Sequence, residues 1–179
     1  MKLNLEVRML IKGKEVYFKE HDGFCRAIGA HVYGWFFSGS GASVPDITNT
    51  SRDPAGGAVR VNGPAGNANY GPVVGTGTGA FSWNNYALTT LIAHGTGAGQ
   101  LSYGATTFNA PATSGNDRYY EVIRTFQNNS GGDITVNEIG LYATNGTYYW
   151  CFARDVLGTG VTVPNGQTLT VTYKIKVTL

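Results

Sequence analysis

The stretch "QTLTVTYKIKVTL", Gln167 to Leu179, alternates without a break. Leu169, Val171, Tyr173, Ile175, Val177 and Leu179 stand on one side. Thr168, Thr170, Thr172, Lys174, Lys176 and Thr178 stand on the other. A period of two is the pattern of a β-strand with one face on a core and one in water. Just upstream, "VPNGQ" (Val163–Gln167) reads as a turn. Further strands are predicted over 101–108, 118–127, 133–143, 147–155 and 160–163. "TNGT", Thr144 to Thr147, is predicted to join two of them as a hairpin, because Asn-Gly tolerates positive φ at both turn positions. Closely spaced strands with turn signals predict a mainly β chain, an antiparallel β-sandwich or jelly-roll-like domain.

The other end of the chain agrees. In residues 2–11, Leu3, Leu5, Val7, Met9 and Ile11 alternate with polar side chains. "KGKE" (Lys12–Glu15) then turns the chain back, so a hairpin is predicted. Asp22 is placed to cap a helix running to Phe37, with Phe24, Ile28, Val32 and Trp35 or Phe36 as its apolar stripe. His31, on that helix, reads as a packing residue. A second short helix is predicted over Asn84–Gly95, with Tyr86, Leu88, Leu91 and Ile92 on its apolar side and Gly95 as its stop. Residues 38–80 are rich in Gly, Ser, Pro, Asn and Ala. They read as a long extended loop or arm within a single domain, 1–179.

Composition narrows the function. Charged residues are 13% of the chain, about half the usual share of roughly 25%. The net charge is +2 and no basic run marks any face, which argues against nucleic-acid binding. No apolar stretch has the length of a membrane span, and the alternating N-terminus is not a signal core. A protein made in a cytoplasm and not exported by a classical route is expected, so the N-x-[ST] matches at Asn49, Asn128 and Asn145 carry no glycosylation meaning. Cys25 and Cys151 are expected to be free, buried thiols. A surface this poor in charge resists association weakly, which suits an assembly whose neighbours cover it.

Candidate chemistry centres on "DITVNEIGLY", Asp133 to Tyr142. Strict alternation puts Glu138 on the face of Ile134 and Val136, yet Ile139 and Leu141 carry the apolar phase onward. That slip predicts a β-bulge near Asn137–Glu138. Simple hairpin geometry sets Glu138 diagonal to Arg124 on one side and near Arg154 on the other. A carboxylate between two arginines across strands predicts a structural ion pair. Catalysis needs a second group within reach, and no other acid has an obvious place beside Glu138; the role of Asp155 stays open. A hydrolase using Glu138 as its acid is the enzymatic alternative.

No other catalytic, metal or cofactor site is predicted. His21, His31 and His94 are scattered, with no HxH or HExxH. There is no G-x-S-x-G elbow. "GTGTG" (75–79) and "GTGAG" (95–99) lack the Lys-Ser/Thr of a phosphate cradle and read as turns. The aromatic residues Trp35, Phe36, Tyr148 and Trp150 are predicted interface residues, with a sugar-stacking platform as the alternative.

One resemblance sharpens this picture. "RTFQNNSGGDITVNEIGLYATNG" (Arg124–Gly146), followed by "CFARDVLGTGVTVPNGQTLTVTYKIKV", resembles virion structural proteins of tailed bacteriophages. The matching positions are Phe126, Asn129, Ser130, Gly131, Glu138, Gly140, Tyr142, Arg154, Asp155, Gly166, Gln167 and Tyr173. "YALTTLIAHGTGAGQLSYGAT" and the N-terminal hairpin with its aromatic-rich helix are similar to the same class, and residues 38–80 are least covered. An E-I-G-L-Y strand also occurs in tail-fibre attachment modules. The resemblance implies a non-enzymatic β-sandwich built as a symmetric oligomer on capsid, neck or tail. Its partners would be itself and other virion proteins. A carbohydrate- or receptor-binding module is the second expectation.

Overall fold

The computed structural model describes residues 2–21, 23–37, 43–54 and 58–178, with the backbone alone at 2, 3, 21 and 35–37. The chain is mainly β. Its strands are β1 (Lys2–Ile11), β2 (Lys14–His21), β3 (Val44–Pro45), β4 (Ser51–Arg52), β5 (Gly71–Gly75), β6 (Ser102–Tyr103), β7 (Thr107–Ser114), β8 (Asp117–Gln127), β9 (Ile134–Thr144), β10 (Tyr149–Val163) and β11 (Thr168–Thr178). One helix, α1 (Arg26–Phe37), lies among the described residues. A six-stranded sheet runs β2-β1-β11-β8-β6, with β7 also on β8; a three-stranded sheet runs β10-β9-β5. All of these pairings are antiparallel.

The alternation read from the sequence decides which side chains fill the space between the sheets. On β11, Leu169, Val171 and Tyr173 are fully buried. They join Leu5, Val7 and Met9 of β1 and Val122 and Phe126 of β8 in one core with Val73, Val74, Ile139, Ala153, Val161 and Val163 of the other sheet. Each such side chain contributes roughly 1.5–3 kcal/mol of burial. On the opposite face of β11, Lys174 and Lys176 pair with Glu6 across the ladder at 3.4 and 2.6 Å. The first hairpin turns on Lys12 (φ 52°) and Gly13 (φ 73°), the double positive φ of a tight two-residue turn. The Asn145-Gly146 turn differs from its prediction. Only Gly146 takes positive φ (99°), and residues 145–148 form a longer loop in which Asn145 Oδ1 accepts from the N–H groups of Thr147 and Tyr148.

Three further expectations are corrected. The buried face of α1 is Ala27 and Ala30, beside Trp150 and Phe152, while Val32 is exposed. Small residues let the helix approach β10 closely, so the stripe sits off the one predicted. The cap expected at Asp22 lies outside the described residues. The second helix, over Asn84–Gly95, does not form. Its backbone donors are committed elsewhere: Leu88 N–H to Tyr142 Oη (2.5 Å), and Thr89 and Thr90 N–H to the Glu138 carboxylate. Residues 90–92 instead run along β5, through Thr76 N–H to Thr90 O and Ile92 N–H to Val74 O. The predicted irregularity at Asn137–Glu138 is present, but the surplus belongs to β10, where residues 157–160 stand against Asn137 alone. The 38–80 stretch contains β3, β4 and the wholly buried β5.

Candidate functional site

Glu138 lies on the central strand of the smaller sheet, opposite Gly75 of β5 and Val156 of β10. It is 0% exposed. A carboxylate there costs several kcal/mol unless its lone pairs are met, and here they are. Oε1 accepts from Gly77 N–H (3.1 Å) and Thr90 N–H (2.8 Å). Oε2 accepts from Thr89 N–H (3.1 Å) and from Arg154 Nε (2.8 Å), with Arg154 Nη2 also at 2.8 Å. Arg154 sits two residues from Val156 on the neighbouring strand, the diagonal position whose side chains meet.

The rest of the Arg154 guanidinium holds a loop. Nη1 donates to Ala80 O (3.1 Å) and Asn85 Oδ1 (3.0 Å); Nη2 donates to Gly79 O (2.7 Å) and Thr89 Oγ1 (2.9 Å). One buried pair thus clamps residues 77–90 onto the sheet. "GTGTG" acquires a physical reason beyond turning. A Cβ built on Gly75 would stand 2.8 Å from Glu138 Oε1, and one on Gly77 would collide with the same atom. Only glycine lets the backbone N–H come this close to the carboxylate.

Arg124 is the correction. It does not meet Glu138. Its guanidinium, 1% exposed, donates to five backbone carbonyls: Gly104 (2.8 Å), Tyr70 (3.0 Å), Pro72 (3.1 Å), Pro64 (2.8 Å) and Asn67 (2.6 Å). The Tyr103 ring lies 4.9 Å from its central carbon. Burial pushes the Arg124 pKa down to about 10, against smaller upward effects of Tyr103 and Tyr70, and leaves it protonated at neutral pH. The two arginines therefore divide the irregular chain. Arg124 gathers 64–72 and 104, and Arg154 gathers 79–89.

The predicted aromatics separate. Trp150 is 0% exposed, packed under α1, and is no surface platform. Tyr148 is half-buried, edge-on to Trp150, with Arg52 4.3 Å from its ring centre. The Trp35 and Phe36 side chains lie outside the described residues. The aromatics that do face solvent include Phe81, Trp83 (54% exposed) and Tyr86. They ride on the loop that Arg154 holds through Ala80 and Asn85. Ser82 and Asn85 fix it internally, with Ser82 N–H donating to Asn85 Oδ1 (2.7 Å) and Asn85 N–H to Ser82 O (2.9 Å). The helix reading of 84–95 put Tyr86 on a buried side and left Phe81 and Trp83 just outside it, unread; the signal was "FSWNNY", aromatics interleaved with cap-forming Ser and Asn. Asp155 is buried and accepts from Lys19 Nζ (2.8 Å) and Tyr17 Oη (3.3 Å), which ties β10 to β2.

Among the described residues no His, Cys, Asp and Glu group is arranged to hold a metal ion. No helix among them is long and apolar enough to cross a membrane. In comparisons with known proteins, no family model, no curated protein and no solved structure matches the chain.

Proposed function

We propose that the chain is a non-enzymatic structural or accessory protein of a tailed-phage virion. It is made in the host cytoplasm and assembles as a symmetric oligomer on capsid, neck or tail. The observation that carries this reading is the ligation of Glu138. Its oxygens are occupied by three backbone N–H groups and a guanidinium, and it is closed from solvent. A general acid must reach a substrate proton; a carboxylate so enclosed holds chain segments together instead. The likeness of the E-I-G-L-Y strand to virion proteins supports the particle role.

Self-association has surface to use. Val32 of α1, Phe108 of β7 and Tyr120 of β8 are exposed around a cleft that Ile28, Val59 and Ile175 also line, and Tyr33 of α1 is exposed as well. Light scattering across a concentration series is expected to give a discrete mass such as a trimer or pentamer. A monomer at every concentration would count against assembly as a symmetric oligomer.

A second reading, glycan or receptor binding within such a particle, draws on Phe81, Trp83 and Tyr86. Exposed aromatics on a loop pre-ordered by a buried arginine can stack on a sugar face without a large ordering cost. Under this reading Trp83→Ala lowers adsorption of particles to cells at least about tenfold. Unchanged adsorption, with the fold intact by circular dichroism, removes it.

A further inference from the structure

Cys25 and Cys151 are 126 positions apart in sequence, yet their sulfurs lie 3.6 Å apart. Both are fully buried free thiols. Cys25 stands in the short link before α1. That link runs antiparallel along β10: Cys25 N–H donates to Phe152 O (2.8 Å), Arg154 N–H donates to Gly23 O (3.0 Å), and Phe24 bridges Ala153. Cys151 opens the bulge in which Phe152 is the surplus residue of β10. Strand alternation puts Cys151 and Ala153 in the main core and Phe152 under α1, while the bulge shifts the register against β9. Hydrogen bonds on the flanking backbone therefore hold the two thiols in contact.

We propose that Cys25 and Cys151 form an oxidation site that closes to an intrachain disulfide by exchange with a small-molecule disulfide such as oxidised glutathione. One protein thiolate attacks the small disulfide, breaks its S–S bond and releases one glutathione thiolate. The second protein thiolate attacks the mixed disulfide, forms the Cys25–Cys151 bond and releases the other glutathione. The protein loses two electrons and two protons; the small disulfide gains them as two thiols. The product staples the link before α1, and so the helix, to β10.

The fold also sets the timing. Burial holds the Cys151 thiol well above its ordinary pKa, with Cys25 adding to the rise, so little thiolate is present in the closed fold. Closure requires the 23–25 link to lift from β10, or it accompanies folding. The pair stays reduced in a reducing cytoplasm and closes on passage to an oxidising medium. The chemistry stands apart from the assembly role proposed above.

The test is equilibration of the whole protein in graded reduced and oxidised glutathione, approached from both sides until the two agree, then acid quench and intact mass. The same titration is run in full denaturant. The equilibrium constant for closure is expected to be on the order of a thousandfold larger in the folded protein, because the fold holds together ends that the free chain must bring from a loop of this length. It is read as loss of two hydrogens without a glutathione adduct. Cys25→Ser, as control, is expected to carry at most a glutathione adduct. An equal or smaller constant in the folded protein, or glutathione adducts on both cysteines in place of closure, would overturn the proposal.

Discussion

Arg124→Leu is expected to lower unfolding stability by about 4–6 kcal/mol, measured as a fall in the denaturant midpoint. The substitution takes the guanidinium away from five carbonyls in one cradle, of which Pro64 O keeps the Asn67 N–H (3.2 Å). Each unmet buried acceptor costs roughly 1–3 kcal/mol, and partial opening of the loop to water keeps the sum below the simple total. The damage is local first. Residues 64–72 rely on Arg124 at Pro64, Asn67, Tyr70 and Pro72, so limited proteolysis is expected to cut there before elsewhere. Arg124→Lys should fall between, because one ammonium offers three donors and no planar fork. A midpoint within about 1 kcal/mol of wild type in Arg124→Leu would mean that the cradle does not hold the loop.

Glu138→Gln is expected to cost about 3–5 kcal/mol, although it changes one oxygen to nitrogen. Arg154 keeps its charge, 1% exposed, without an anion. The new amide also meets only donors, since Gly77, Thr89 and Thr90 all present N–H groups. One of its faces must set donor against donor. The loop carrying Phe81, Trp83 and Tyr86 loosens with it, because Arg154 is its anchor. Adding Arg154→Met removes the stranded charge, so the double variant is expected to lose less than the sum of the two single losses. A catalytic Glu138 would give the opposite signature: unchanged midpoints and a lost activity.

The strands were legible because their signal is local. Alternation in 167–179 and 2–11 needs only a period of two, and it puts Leu5, Val7, Met9, Leu169, Val171 and Tyr173 in the core as read, but the face read as wet also buries Asn4, Glu6 and Lys176, which is where the Glu6–Lys176 pair sits. The Glu138–Arg154 contact was legible as well, since it depends on strand order and a diagonal offset. What the sequence hid is what distant segments do to one another. The apolar spacing in 84–95 favours a helix locally, but a carboxylate and a phenol from β9 take its backbone donors. Arg124 looked like a partner for Glu138 because both lie on strands near one hairpin. Its real partners are carbonyls 20 to 60 positions away, in chain with no periodic pattern. The glycines of "GTGTG" looked like turn residues; their close approach to Glu138 appears only once β5 lies beside β9.

The proposed virion role is tested most directly in purified particles of the tailed phage that this proposal takes to encode the chain. Quantitative mass spectrometry of gradient-purified virions is expected to find the chain at a fixed copy number per particle, in a multiple set by the symmetry of its attachment site. Particles that are complete and infectious without it, with the chain left wholly in the lysate supernatant, would contradict the account.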